Sequence, residues 1–230
     1  SAYKERNEEN LGEPYEQYLE GIVSRYKELF DVDLSGMKIG VDPGHGIASI
    51  TLPRVLRQLG VEKEDLYLIN ADLDGNFPQR NPDPTEDGLD DLSTLVVNED
   101  LDLGIATDGD ADRAVYVNEK GQEVSGDESL AILGEKFLSE APDDVSPGLA
   151  LSGNTAALAR DHINSLNGVV DYQPVGAVFP AKAALNRKGD PPIVFGGQPN
   201  GHFIDPEFTP YDSGTLMGVV IPGILQAKDA

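Results

Sequence analysis

The chain has 230 residues, 39% hydrophobic and 25% charged, the balance of a globular protein with length enough for two domains of ordinary size. Its 41 acidic against 17 basic side chains give a net charge of −24, which repels a phosphate backbone and excludes most nucleic-acid partners. No apolar run approaches the roughly 18 residues of a membrane span, and without cysteine neither a disulfide framework nor a thiolate metal site is available.

The carboxylates lie between structured segments, as in Glu99-Asp100-Leu101-Asp102, and form no tail. That distribution suggests a salt-loving organism, in which concentrated salt screens self-repulsion. No basic-then-apolar leader is present, so a cytoplasmic address is expected.

Residues 1–13 are polar and expected to be poorly anchored. After Pro14, apolar positions from Tyr15 to Phe30 recur at helical spacing. The period then shortens: Met37 to Val41 predicts a strand that opens into the turn Asp42-Pro43-Gly44-His45-Gly46, followed by a helix from Ile50 to Leu59. Leu66 to Ile69 predicts a strand and Asn70 to Thr85 a proline-rich loop. A helix over Leu89–Val97 precedes strands at Leu101–Ala106 and Arg113–Val117, and another helix runs from Gly126 to Leu138. The segment Ala141 to Gly148, with its two prolines, is the best linker and divides the chain into domains of 1–144 and 145–230.

Beyond it the alternation resumes. Strands are expected at Leu149–Leu151, Val169–Tyr172 and Ile193–Phe195, with helices at Asn154–Leu166, Phe179–Asn186 and Asp212–Gln226. Ser152 to Thr155 offers either backbone donors for an anion or a plain helix cap. Strands alternating with helices argue for two tandem α/β domains with mixed, mainly parallel sheets flanked by helices.

The chemistry concentrates in Thr107-Asp-Gly-Asp-Ala-Asp-Arg113. Asp108, Asp110 and Asp112 alternate with the small Gly109 and Ala111, so their carboxylates can point into one concavity and hold a hard divalent cation. A solvated acidic turn is the bland alternative, weakened because an apolar strand delivers the cluster to the carboxyl end of a sheet, where α/β folds bind ligands. An EF-hand calcium loop would use Asp108, Asp110, Asp112 and Glu119, but it needs glycine where Arg113 stands, and helical flanks. A phosphatase with Asp108 as aspartyl nucleophile stays open, although Asp112 occupies a place where a small neutral residue is expected. Arg113 is suited to bidentate contact with a phosphate next to the cation, or simply balances the three carboxylates.

At these residues the chain resembles the phosphohexomutase family, the phosphoglucomutases and phosphomannomutases. Asp108 to Arg113 matches the family's magnesium loop without a gap. Gly40 to Gly46, Gly75 to Pro84 (the Phe-Pro-x-x-x-Pro-x-Pro segment) and Gly121 to Asp127 follow in the expected order. In the second half, Gly197-Gln-Pro-Asn-Gly-His202 occupies the place of the sugar-binding loop Gly-Glu-x-Ser-Gly-His, Asp212-Ser-Gly214 that of the next helix start, and Val175-Gly176 that of a substrate loop.

The resemblance implies reversible transfer of phosphate between O1 and O6 of a hexose through a phosphoserine and a hexose bisphosphate. Asp108, Asp110 and Asp112 would hold Mg²⁺, Arg113 would contact the reacting phosphate, and Gly176, Gln198, Asn200 and His202 would contact the hexose phosphate. The departures are as informative. Nothing here resembles the Ser-His-Asn segment of the family's first domain or the phosphate clamp of its fourth, so the chain resembles the two middle domains, and these 230 residues alone are expected to be inactive. Gln198 replaces Glu, Asn200 replaces Ser, and Ala177 stands where many relatives carry a charged or imidazole side chain. A sugar-phosphate-binding protein without catalysis is the alternative these replacements suggest.

Overall fold

Pro14 sits in the first turn of α1 (Glu13–Leu29), where its missing N–H leaves no hydrogen bond unmade, and Leu19, Ile22, Tyr26 and Leu29 turn one apolar face inward. The computed structural model describes residues 12–84, 88–142, 145–186 and 189–229. The expected loose start therefore lies mostly outside the described residues, as does the centre of the expected linker.

Two sheets follow. The first contains β1 (Ile39–Asp42), β2 (Leu66–Leu68), β3 (Leu103–Thr107), β4 (Ala114–Asn118) and β5 (Glu123–Val124), in the order β2-β1-β3-β4-β5. β1, β2 and β3 are parallel, with Asp42 paired to Ala106, while β4 and β5 add antiparallel strands at one edge. Every residue of β1 and β3 is buried, as expected of parallel strands covered on both faces. Alternation assigns the faces. Ile39, Val41, Leu103 and Ile105 point into the main core with α2 (Ala48–Gln58), whereas Ala106 and Val117 meet Leu92 and Val96 of α3 (Asp90–Asn98).

The second sheet runs β7-β6-β8-β9, built from β6 (Gly148–Ser152), β7 (Val169–Gln173), β8 (Ile193–Gly197) and β9 (Phe203–Ile204), with only β9 antiparallel. Helices α5 (Ala157–Ser165) and α6 (Val178–Ala184) complete its crossovers. The two-residue strands β5 and β9 are too short for a hydrophobic period to reveal.

The packing crosses the expected division at 144/145. α4 (Gly126–Ser139) follows the first sheet in sequence but lies on α5 and β8, where Phe137 stacks on Phe195 with ring centroids 5.0 Å apart. Conversely, α7 (Gly214–Asp229) follows the second sheet but packs on α1, α2, β3 and β4, and the buried Tyr116 hydroxyl donates to the Met217 carbonyl at 2.8 Å. One continuous apolar cluster runs from Leu19 and Ile39 to Leu149 and Phe195. Helical periodicity says that α4 and α7 are amphipathic; it does not say against which sheet.

Several expected ends move. α5 begins at Ala157, and its N-cap residue Ala156 makes no side-chain cap; Asp127 of α4 accepts the Ala156 N–H at 2.7 Å, while Ser152 donates to Asn154 at 2.5 Å. Ser152–Thr155 is therefore not the helix cap that its composition suggests, and the carboxylate of Asp127 takes up a donor that an anion would use.

Candidate functional site

β3 ends at Thr107, and the six residues that return the chain to β4 form the aspartate loop. Strand flanks dispose of the EF-hand alternative. Ala111 adopts φ 61°, a left-handed residue that tightens the turn. Asp108 is buried, Asp112 half-buried and Asp110 exposed, and one carboxylate oxygen from each lies within 4.8 Å of the others. Asp108 is locked by Arg113, whose backbone N–H donates to Oδ1 at 3.2 Å and whose Nε donates to Oδ2 at 2.7 Å. The other end of the guanidinium donates to Asp83 at 2.7 Å.

The donor set fits a hard cation: it is all oxygen, graded from buried to open, and Asp112 Oδ1 is buried without a hydrogen-bond partner. Electrostatics agree. Burial, with the hydrogen bond and charge of Asp108, pushes the Asp112 carboxyl up to about 7. Burial works against ionised Asp108 too, but the bonds from Asp112 and Arg113 hold it below its ordinary value. Carboxylates this close repel one another, and a bound cation would offset that charge.

The second sheet delivers its own loop to the same place. The turn from β8 to β9 closes with the Gln198 N–H on the His202 carbonyl at 2.9 Å and the Gly201 N–H on the Gln198 carbonyl at 3.3 Å. Arg113 and His202 form an isolated antiparallel bridge, and the Ala114 N–H donates to the Gly201 carbonyl at 3.2 Å. Close approach depends on Gly126 at the start of α4: a Cβ there would lie 1.6 Å from the Pro199 carbonyl oxygen. A cleft beside the junction is lined by Asp83, Arg113, Ser129, Pro199 and Asn200.

The expected sugar contacts are distributed unequally. Asn200 is exposed at the cleft. Gln198 is only 4% exposed, and its Oε1 accepts the Gly176 N–H at 3.2 Å, joining the two expected substrate loops. His202 is half-buried, its Nδ1 2.5 Å from Asp212 Oδ2, off the hydrogen-bonding line, and 3.6 Å from Asp112 Oδ1. Burial lowers its proton affinity, but Asp212 and the charge of Asp112 outweigh that and raise the imidazole above its ordinary value. The contacts of Asp83 and Asp212 are not legible in sequence: Asp83 meets Arg113 30 positions further on, and Asp212 meets His202 only because the chain turns back after β9.

The arrangement defines a class: two α/β units that set an aspartate loop edge to edge with a glycine-rich turn. The family model for phosphoglucomutase/phosphomannomutase alpha/beta/alpha domain II matches residues 16–121, and that for domain III matches 125–230. A probable phosphoglucosamine mutase of Methanopyrus kandleri is 36% identical over 204 residues, which cover 88% of this chain and 43% of the relative. A phosphoglucomutase/phosphomannomutase of Thermococcus kodakarensis is 35% identical over 197 residues, covering 83% of this chain and 40% of the relative. Among solved structures, a phosphoglucomutase/phosphomannomutase family protein of Burkholderia thailandensis superposes with a TM-score of 0.78 at 26% identity, over 92% of this chain and 43% of that one. The chain belongs to the phosphoglucomutase/phosphomannomutase family, and it spans about two fifths of the length of these curated relatives.

Proposed function

We propose that these residues form the metal-binding and sugar-binding middle of a phosphohexomutase that moves phosphate between O1 and O6 of a hexose phosphate. The observation that carries this reading is the Arg113–His202 bridge, which puts the aspartate loop and the sugar loop on one continuous strip of backbone. Asp108, Asp110 and Asp112 would hold Mg²⁺, which when bound offsets the charge of a phosphoryl group in transit.

The chain's own residues do the positioning. Arg113 is held in place by Asp108 and Asp83 and directs its remaining N–H donors at a phosphate. Asn200 offers amide donors and an acceptor to sugar hydroxyls at the mouth of the cleft, His202 ends the same turn opposite Arg113, and buried Gln198 shapes the loop by accepting the Gly176 N–H. The phosphoryl donor is a phosphoserine of the family's first domain, supplied from outside these residues. An aspartyl-nucleophile phosphatase is disfavoured, because Asp108 is 4% exposed, whereas a nucleophile has to reach the phosphorus directly. The substrate class we propose is the hexose phosphates, with glucosamine, glucose and mannose phosphates as candidates suggested by the relatives' names.

Calorimetric titration with glucose 1,6-bisphosphate tests the reading. Binding is expected to require Mg²⁺ and to be lost in R113Q, with no turnover of glucose 1-phosphate by the chain alone. Absence of binding in the presence of Mg²⁺ overturns the site, and turnover overturns the external donor.

A further inference from the structure

The segment Phe77 to Pro84, singled out by its prolines, wraps the aspartate loop from beneath. The Phe77 ring lies under Gly109, Asp83 holds Arg113, and between them Arg80 is only 9% exposed. All five N–H donors of Arg80 are used. Nε donates to Asp42 Oδ2 at 3.0 Å, Nη2 to the carbonyls of Asp42 at 3.0 Å and Thr107 at 2.7 Å, and Nη1 to those of Asn81 at 2.9 Å and Pro82 at 3.4 Å. The space it fills is made by Gly44, at φ 52°, where a Cβ would lie 2.5 Å from the guanidinium carbon.

Asp42 and Thr107 end the adjacent parallel strands β1 and β3, and the Thr107 carbonyl belongs to the peptide that continues into Asp108. We infer that Arg80 is a positioning residue for the cation site: by tying both strand ends to the 77–84 segment it sets the peptide from which the first metal-binding carboxylate projects. Lysine has neither the five donors nor the planar fork needed to replace it. This inference rests on the reading of Asp108, Asp110 and Asp112 as cation ligands.

The sign of the effect separates positioning from charge. Removing a guanidinium beside a cation site strengthens cation binding by Coulomb's law alone, whereas losing the tie to Thr107 weakens it. Mn²⁺ binding to the 230-residue chain, followed by loss of the free-ion EPR signal, is compared for wild type, R80Q and D42N/R80Q, with urea unfolding in parallel. The double variant avoids leaving the buried Asp42 carboxylate without its counter-charge. Folded R80Q or D42N/R80Q is expected to bind Mn²⁺ about 10- to 100-fold more weakly, the usual effect of losing a group that orients metal ligands. Equal or tighter binding by a folded variant overturns the inference, and failure of both variants to fold assigns Arg80 to the fold alone and overturns it too. A wild-type chain that binds no Mn²⁺ removes the cation reading itself, a result visible before any variant is titrated.

Discussion

Arg113, the last residue of the aspartate loop, and His202, the last residue of the glycine-rich turn, face each other across an antiparallel bridge although they lie in different family domains. Backbone bonding at this point fixes the distance between the two loops without relying on long side chains. Changes at the junction therefore affect both loops together.

Gly126 is the most sensitive position there. G126A forces a methyl group into the Pro199 carbonyl, and overpacking of this kind costs about 1–3 kcal/mol. The expected result is a lower urea midpoint together with weaker hexose bisphosphate binding. An unchanged midpoint and affinity would show that the loop yields without consequence.

At the same helix start, the Ser125 hydroxyl accepts the Glu128 N–H, and the Glu128 carboxylate accepts the Ser125 N–H and hydroxyl. S125A should cost about 1 kcal/mol at neutral pH. The bonds from Ser125 hold Glu128 below its ordinary value. Its contribution is therefore present above the unfolded carboxylate range and is lost as the pH falls through the folded value. Urea unfolding at a series of pH values should show the difference between S125A and wild type shrinking on acidification; a difference independent of pH would contradict the pairing.

Arg25 of α1 donates through Nε to Asp205 at 2.6 Å, and the Asp205 side chain is fully buried. R25A should cost about 3–5 kcal/mol because it leaves that carboxylate uncompensated. R25M/D205N, which removes both charges, should be less destabilised than R25A. Chemical denaturation of the two variants checks the order, and R25A equal to wild type would show that α1 does not depend on the pair.

The net charge of −24 makes a separate prediction. Raising salt from about 0.1 M to about 1 M shortens the screening length from about 10 Å to about 3 Å, so repulsion among the carboxylates falls and the thermal midpoint should rise. A midpoint that is constant or falls across that range would argue against adaptation to high salt. No helix among the described residues is long and apolar enough to cross a membrane.

Local features were legible in the sequence because local chemistry produces them. The aspartate loop is contiguous, its strand flanks are apolar, and most helices appear within a few residues of their expected positions. Burial of Gln198 was not legible: the same residue type at a loop tip would serve as a sugar contact, and only the fold places its Oε1 on Gly176. Arg80 looked like one polar residue among prolines, since its partners Asp42 and Thr107 lie 38 and 27 positions away. The exchange of α4 and α7 between the sheets is hidden from the sequence for the same reason, as amphipathicity identifies a face without naming its partner.

Three aspartates and Arg113 are proposed to gather a divalent cation and a phosphate beside the glycine-rich turn. Crystals of the chain grown with Mn²⁺ and glucose 1,6-bisphosphate test it most directly through the anomalous signal of the metal. A metal peak is expected within coordination distance of Asp108, Asp110 and Asp112, with one phosphate on Arg113 and the sugar at Asn200 and His202. A metal peak elsewhere, or a bisphosphate bound away from this junction, would contradict it.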